Sequence, residues 1–457
     1  MLYSSPLPYV VNAGDYYAAI EELPWAIWLD SGGMDRYDIL VAQPITTLVT
    51  LGLNTTIENV TGVRVSDDDP FDLLREQLGP HISSIPDIPF AGGALGYWGY
   101  DLSRQWMGVA ERNANTDDLP DMAVAIYDWA ILIDHQEREA RLVSRLCSSE
   151  TLKVLPSILE RLHRKAVIKN NNFSVLAPVQ SNLSQDDYNI AFEQIQDYLI
   201  AGDCYQVNLA QRFTAPVSGD VLQAYMSMRA ITPSPHSAFL NLPQAQILSV
   251  SPERFLQLRD GKVETKPIKG TRKRGNNVGH DEQLIADLRS NKKDRAENLM
   301  IVDLLRNDLN KNCAPGSVQV DNLFEVESYA NVHHLVSKIT GTLASEKDAL
   351  ALLRDCFPGG SITGAPKKRA MEIIEQLEPH RRGVYCGSIA YIGWDEQMDS
   401  SIVIRTLICS NGIINFSVGG GIVSDSTAAE EYQETLDKAA GIFKMLALYG
   451  DTSRTLK

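Results

Sequence analysis

Three stretches of this chain carry residues whose types and spacing can do chemistry. The first holds Glu430, Glu431 and Glu434. Residues three or four apart are neighbours on a helix, so these carboxylates share a face. They form either a solvated acidic face steadied by a Glu434–Lys438 pair or a set of oxygens offered to a divalent cation. The second stretch is KDRAENLMIVDLLRNDL (293–309), where Asp294 and Glu297 share a face at the start of a helix. The run Leu299 to Leu305 is apolar almost all round, which predicts a buried helix. A carboxylate beside it needs a salt bridge to Lys293 or Arg295, or a cation, because a bare buried charge is costly. Two carboxylates from distant helices suit Mg²⁺, which takes one or two protein carboxylates and keeps waters and substrate oxygens. The third stretch is TKPIKGTRKRG (265–275), which concentrates Lys266, Lys269, Arg272, Lys273 and Arg274 in a chain of net charge -16. It reads either as a solvated hairpin or as an anion site containing a reactive amine.

Two glycine-rich segments accompany them. PGGSITGAPKKRAMEIIEQLEP (358–379) opens a helix, and a helix start offers free N–H groups to an anion. It is not a nucleotide phosphate loop, since Gly364 is followed by Ala-Pro-Lys; a plain packing turn is the other reading. SVGGGIVSD (417–425) places Gly419, Gly420 and Gly421 between a strand and the Glu-bearing helix, so a ligand can approach the backbone directly. His333 and His334 read most simply as structural histidines.

These residues need elements to hold them. AVAIYDWAILIDH (123–135) predicts a buried strand. AGGALGYWGYD (91–101) has glycines at 92, 93, 96 and 99, which suits bulges or close backbone approach. TLKVLPSILERLHRKAV predicts a short helix despite Pro156, and 170–185 reads as a polar linker. A helix then starts at an N-cap Ser184 with Asp187 three residues on, carries Tyr188, Phe192, Ile195 and Leu199 on one stripe, and ends at Gly202. In the last helix Thr427 and Glu430 form a capping-box pattern, and Tyr432, Leu436, Ala439, Phe443 and Leu446 form the core stripe. Strands alternate with such helices through the second half: QILSVSPERFLQL, VETKPIKGT, GVYCGSIAYIGW, SSIVIRTLICS and INFSVGGGIV. The pattern predicts a mixed α/β or α+β chain with substantial sheet.

The 457 residues suit two to three domains or one large α/β body. Hydrophobic residues at 44% and charged residues at 22% are ordinary for a soluble globular protein. The acidic balance argues against nucleic-acid binding. No apolar run reaches the roughly 18 residues of a membrane span, and MLYSSPLPYVV lacks the pattern of a signal peptide. The six cysteines are scattered without a C-x-x-C, so neither a disulfide nor a zinc framework is expected. A reducing cytoplasm fits.

Taken in order, AGDCYQVNLAQRF, SPERF, PIKGT, KDRAENLMIVDLLRNDL, VHHLVS, FPGGSITGAPK, IVIRT, GGGIV and EEYQET resemble the chorismate-utilising enzymes. The resemblance runs to the aminodeoxychorismate-forming branch, a sister of anthranilate synthase component I. It implies large β-sheets forming a sandwich-like core flanked by helices. It also implies an anthranilate synthase-like N-terminal region over 1–150 and a chorismate-binding catalytic region over 185–447. In the family Glu297 and Glu434 match Mg²⁺ ligands, with Glu431 and Asp294 beside them, and the cation grips the ring carboxylate of chorismate. Gly270, Thr271, His334, Tyr385, Arg405 and the backbone of Gly419, Gly420 and Gly421 match substrate-binding groups. A guanidinium fork such as Arg405 suits bidentate carboxylate recognition. Glu253 matches the acid near the C4 hydroxyl, whose departure needs a proton donor.

Two positions separate the branches. Isochorismate and salicylate synthases carry a lysine that activates water where this chain has Gln206, an amide without useful basicity. Anthranilate synthases read PIAGT where this chain reads PIKGT. The resemblance therefore implies that Lys269 attacks C2 as the C4 hydroxyl leaves with a proton from Glu253. Ammonia then adds at C4 and expels the lysine, giving 4-amino-4-deoxychorismate with its pyruvyl group retained, a step towards p-aminobenzoate and folate. An ammonium has no lone pair, so the mechanism requires either Mg²⁺ to offset substrate charge or a carboxylate such as Glu253 to take the lysine's proton first.

No glutaminase segment is visible, so the resemblance implies a separate glutamine amidotransferase subunit supplying ammonia. Ser31, Asp35, Arg36, Tyr37, Pro235, His236 and Ser237 match an amino-acid pocket that holds tryptophan in relatives. The rival activity is that of anthranilate synthase component I. A rival from another class is a non-catalytic chorismate or tryptophan sensor.

Overall fold

The computed structural model describes residues 2–113, 115–164, 172–329 and 332–450. Among them, two large, mainly antiparallel sheets of 13 and 12 strands pack into a sandwich, with helices on both outer faces. Alternation along each strand explains the layering, because successive side chains point to opposite faces. In the strand Ala26–Asp30, Ile27 enters the inter-sheet core with Ile247, Ile389, Leu95 and Ile408. Its neighbour Trp28 faces outward onto Tyr17 and Tyr225 of two covering helices. Leu305, Leu353 and Met371 come from helices that cover the second sheet.

Strands from before residue 150 and after residue 185 share both sheets: Ala26–Asp30 pairs with His236–Asn241, and Gly93–Trp98 pairs with Ser388–Gly393. Three stretches that read as single strands are broken in two. AVAIYDWAILIDH becomes Met122–Tyr127 in the second sheet and Ala130–Asp134 in the first. QILSVSPERFLQL becomes Gln246–Ser251 in the first sheet and Arg254–Arg259 in the second. SSIVIRTLICS becomes Met398–Ile402 in the second and Thr406–Ser410 in the first. Hydrophobicity is continuous through each crossing, because both sheets are buried there, so it does not mark the break.

The helix signals fare well where the cap is local. Ser184 and Asp187 form a complete capping box, and Gly202 ends that helix in the left-handed region at φ 79°. The helix Ser149–His163 tolerates Pro156. Other expectations need correcting. The supposed linker is pinned by two short strands, Ser174–Val175 and Gln180–Ser181, which pair with Gln206–Ser218; its residues 170 and 171 lie outside the described range, as do 165–167 of the preceding segment. The helix Lys292–Asn310 is amphipathic and not buried all round: Ile301, Val302 and Leu305 are buried, while Leu299 is 52% exposed. In the last helix, Ala428–Ala447, the most buried positions are Glu431, Thr435, Ala439, Ile442, Met445 and Leu446. The expected stripe is displaced because Glu431 turns toward the glycine strand. Thr427 caps no backbone group and instead donates to Glu430 at 2.8 Å.

Candidate active site

Two of the three sheet crossings lie side by side and carry the residues of interest. Glu253 sits between Gln246–Ser251 and Arg254–Arg259, and Arg405 sits between Met398–Ile402 and Thr406–Ser410. Their backbones are tied together: Ile402 N donates to Glu253 O at 3.0 Å, and Val250 N donates to Arg405 O at 3.2 Å. Arg405 adopts φ 50°, a left-handed conformation that costs about 1–3 kcal/mol and persists only where the surroundings enforce it. Among the described residues its guanidinium forms no ion pair or hydrogen bond, although it lies close to Glu253 and His334. A half-buried, unshared guanidinium is a receptor for an anion.

Lys269 reaches the same place by a bulge. The strand Ile268–Lys273 pairs with Val332–Thr342, and the register slips between Ile268 and Thr271. Bulges re-aim side chains, and this one has Gly270 at φ 87°. A side chain at 270 would also meet Asp294 at 2.9 Å and Leu288 at 3.0 Å, so glycine is required on both counts. Thr271 Oγ1 bonds His334 Nδ1 at 2.9 Å across the pair. Lys269 forms no ion pair or hydrogen bond among the described residues, and its charge acts on Glu253, Glu297 and Glu434 together.

Of the other cations of that stretch, Lys273 is exposed, as a solvated hairpin requires, but the other three are paired. Lys266 is paired with Glu327. Arg272 bridges Asp287 at 2.8 Å and Asp294 at 2.9 Å, and Arg274 holds Asp281 at 2.7 Å. The two arginines dock the strand onto the helices Val278–Ser290 and Lys292–Asn310, while Lys269 and the exposed Lys273 are left unpaired among the described residues.

The carboxylates gather from two helices. Gly419, Gly420 and Gly421 lie opposite Ala210, Leu209 and Asn208. A side chain at 420 would meet Glu431 Oε2 at 2.9 Å, and one at 421 would meet the Gln206 amide at 3.0 Å. The glycine run therefore gives these side chains their room. Glu431 Oε1 accepts from Ser426 at 2.6 Å and lies 3.6 Å from Lys293, while its buried Oε2 has no partner among the described residues. Glu434 is held by Lys438 at 2.7 Å, and Lys438 also donates to Gly419 O at 2.8 Å.

Burial raises the pKa of Glu253, against a hydrogen bond from Ser361 and the charges of Lys269 and Lys438. A carboxyl whose proton burial holds more tightly is suited to act as a proton donor. Burial also raises Glu297 and Glu431, while Glu434, pushed up by burial, is pulled below its usual value by Lys438. Burial and the Arg405 charge push His334 down to about 4, so the ring is neutral at pH 7. Gln206 is fully buried, and neither end of its amide has a partner among the described residues.

Among the described residues no three His, Cys, Asp or Glu side chains converge on one point as metal ligands, and Lys293 and Lys438 lie against Glu431 and Glu434. Mg²⁺ needs only one or two protein carboxylates. The orphaned Glu431 Oε2, with Glu297 and Glu434 nearby, fits such an ion.

Tyr385 is buried behind this cleft, its ring 5.8 Å from the Arg382 guanidinium. The glycine-rich turn before 367 is a packing element, not an anion loop: Lys367 is buried and bonds Asp308 and the Cys356 carbonyl, both at 2.7 Å. That turn nevertheless supplies a residue absent from the sequence-based set, Ser361, which donates to Glu253 Oε1 at 2.8 Å. Its only signal was membership of the string FPGGSITGAPK.

All seven residues of the expected amino-acid pocket line one cavity of about 520 Å³, together with Arg254, Arg259, Tyr391 and Asp399. It shares no lining residue with the glutamate cleft. Burial, then the Arg254 charge, pushes His236 in its wall down to about 4.

Residues 26–444 match the chorismate binding enzyme family, and the chain belongs to it. It is 46% identical over 448 residues to aminodeoxychorismate synthase component 1 of Salmonella typhimurium, covering 96% of this chain and 97% of that protein. It is 47% identical to the protein of the same name from Klebsiella aerogenes, covering 96% and 98%. Its fold matches the crystal structure of anthranilate synthase component I from Streptococcus pneumoniae with a TM-score of 0.79 and 33% identity, over 89% of this chain and 91% of that one.

Proposed function

We propose that this chain converts chorismate and ammonia to 4-amino-4-deoxychorismate. The observation that carries this reading is the unpaired Lys269 amine, aimed by its bulge toward Glu253 and the carboxylate cluster. The names of the relatives at 46% and 47% identity support the same activity.

In this reading Arg405 and the backbone at Gly419–Gly421 receive substrate carboxylate and ring. The Lys269 lone pair forms a bond to C2. The ring double bonds shift from C1=C2 and C5=C6 to C1=C6 and C4=C5, and the C4–O bond breaks. Glu253 gives its proton to that oxygen, which leaves as water. Ammonia then bonds C4, the double bonds return, and the C2–N bond to Lys269 breaks. Glu297, Glu431 and Glu434 would hold Mg²⁺, which when bound supplies positive charge to a substrate carboxylate. Gln206 offers no basic nitrogen to activate water at C2, which disfavours hydration.

Ammonia would come from a glutamine amidotransferase subunit; the component naming of the relatives supports a partner. The 520 Å³ cavity, within the usual range for small-molecule sites, would hold tryptophan. A reducing cytoplasm suits the six cysteines, all free thiols, and no described helix is long and apolar enough to cross a membrane. The test is to incubate the chain with chorismate, Mg²⁺ and ammonium, then add aminodeoxychorismate lyase. p-Aminobenzoate appearing only after the lyase supports the reading. Anthranilate appearing without it assigns the rival activity.

A further inference from the structure

Glu253 has to present its proton in one direction, and its own strand does little to fix that direction, since it sits where the chain leaves one sheet for the other. Its carboxyl is instead held from outside. The Ile268 amide donates to it, and the Ser361 hydroxyl donates to Oε1 at 2.8 Å. Ser361 is 9% exposed and lies in the short turn Gly360–Ile362.

That turn is clamped on several sides. A side chain at Gly359 would meet Ile402 at 2.6 Å, and one at Gly360 would meet Leu304 at 2.5 Å, so the backbone is pressed against the second sheet and a covering helix. Asn208 N donates to Thr363 O at 2.8 Å. Arg382 spans the remainder: it donates to Ile362 O at 2.8 Å and Asn208 O at 2.9 Å while paired with Glu378 at 2.6 Å. A serine on so rigid a mount has one use for its hydroxyl hydrogen, and it points at Glu253. A carboxylic acid that accepts at Oε1 carries its own proton on Oε2.

We propose that Ser361 is a positioning residue for the reaction: its hydroxyl, mounted on the turn that Arg382 clamps, fixes the Glu253 carboxyl so that Oε2 presents the proton to the departing C4 hydroxyl. This rests on the reading of Glu253 as the acid. Groups of other elements that face Glu253 are Lys269, Lys438, Arg405 and Cys386. None of these is hydrogen-bonded to it, and only Ser361 is a side-chain donor to it among the described residues.

The test uses the full chain with chorismate, Mg²⁺ and ammonium, read through the lyase. Ser361→Ala lowers kcat about tenfold to a hundredfold, with KM for chorismate within about twofold, since the acid acts in the transition state and not in substrate binding. Ser361→Thr, which keeps the hydroxyl, restores most of the rate. In a double-mutant cycle, Ser361→Ala adds no further loss on Glu253→Gln, because the two act as one unit. Ser361→Cys, close in size and a weaker donor, replaces the alanine variant if that one fails to fold. An alanine or cysteine variant with wild-type kcat, or one that costs as much on Glu253→Gln as alone, overturns the proposal while leaving the activity intact. A wild-type chain that gives no aminodeoxychorismate overturns the activity itself, and this proposal with it.

Discussion

Glu253 and Arg254 are consecutive residues that serve two different cavities. Glu253 turns to Ser361 and the cleft of Lys269, while Arg254 bonds Asp399 at 3.0 Å and Glu264 at 3.3 Å in the wall of the 520 Å³ cavity. Alternation along an extended chain puts them on opposite sides, so a single peptide step separates the acid from the second pocket.

Arg254 therefore matters to that pocket more than to the chemistry. The Asp399 carboxyl, pushed up by burial, is held below its ordinary value by Arg254. Arg254→Ala removes the ion pair of this buried carboxylate, leaving it the Gln257 amide at 2.8 Å, at a cost of about 3 kcal/mol, read as a lower denaturant midpoint. It also weakens tryptophan binding at least about tenfold in a calorimetric titration, the equivalent of losing about 1.4 kcal/mol. Unchanged affinity would count against the cavity as the tryptophan site.

Glu253→Gln and Lys269→Ala are expected to lower kcat by about 10²–10⁴ while chorismate still binds. Intact-mass analysis of the wild type with chorismate and no ammonia should detect an adduct on Lys269, absent from both variants. Full activity in Lys269→Ala removes the covalent route.

The partnerless Glu431 Oε2 predicts a direct effect on the cation. Glu431→Gln is expected to weaken Mg²⁺ binding at least about tenfold, the loss that even outer-shell partners cause. Calorimetry with Mg²⁺ alone reads this without turnover. Equal affinity in the two proteins would remove Glu431 from the site.

His334 makes stability depend on pH. Its folded pKa of about 4 lies below the ordinary 6.5, so between those values the unfolded chain binds more protons. Its stabilising contribution is complete above about pH 6.5 and is lost as pH falls to about 4, on the order of 3 kcal/mol in all. His236, also at about 4, acts in the same direction. Denaturant midpoints measured from pH 7.5 to 4.5 should fall, and His334→Gln should flatten the curve. A midpoint independent of pH in the wild type would contradict the burial of these rings as uncharged groups.

Much of the site could be read from spacing. Helix periodicity placed Glu430, Glu431 and Glu434 on one face, while the resemblance to the family, through PIKGT, separated Lys269 from the other cations. What escaped is instructive. SPERF, PIKGT and IVIRT looked like uninterrupted strand, yet each is broken at the residue that matters: Glu253 at a crossing between sheets, Lys269 at a bulge, Arg405 at a positive φ. Apolar runs report burial, and burial continues through a crossing. The arginines of 272–274 looked solvated because their acidic partners, Asp281, Asp287 and Asp294, lie on later helices.

Local order was enough to specify the caps of helices, the faces they present and the chemical types available, because those depend on residues within four positions of each other. Pairings over long separations belong to the tertiary structure. Ser361 and Glu253 stand 108 residues apart, Arg382 and Asn208 stand 174 apart, and Lys293 meets Glu431 from another helix. Such contacts exist only once both sheets and their covering helices have closed, since a hydroxyl 2.8 Å from a carboxyl is a property of two backbones held in register and of neither segment alone.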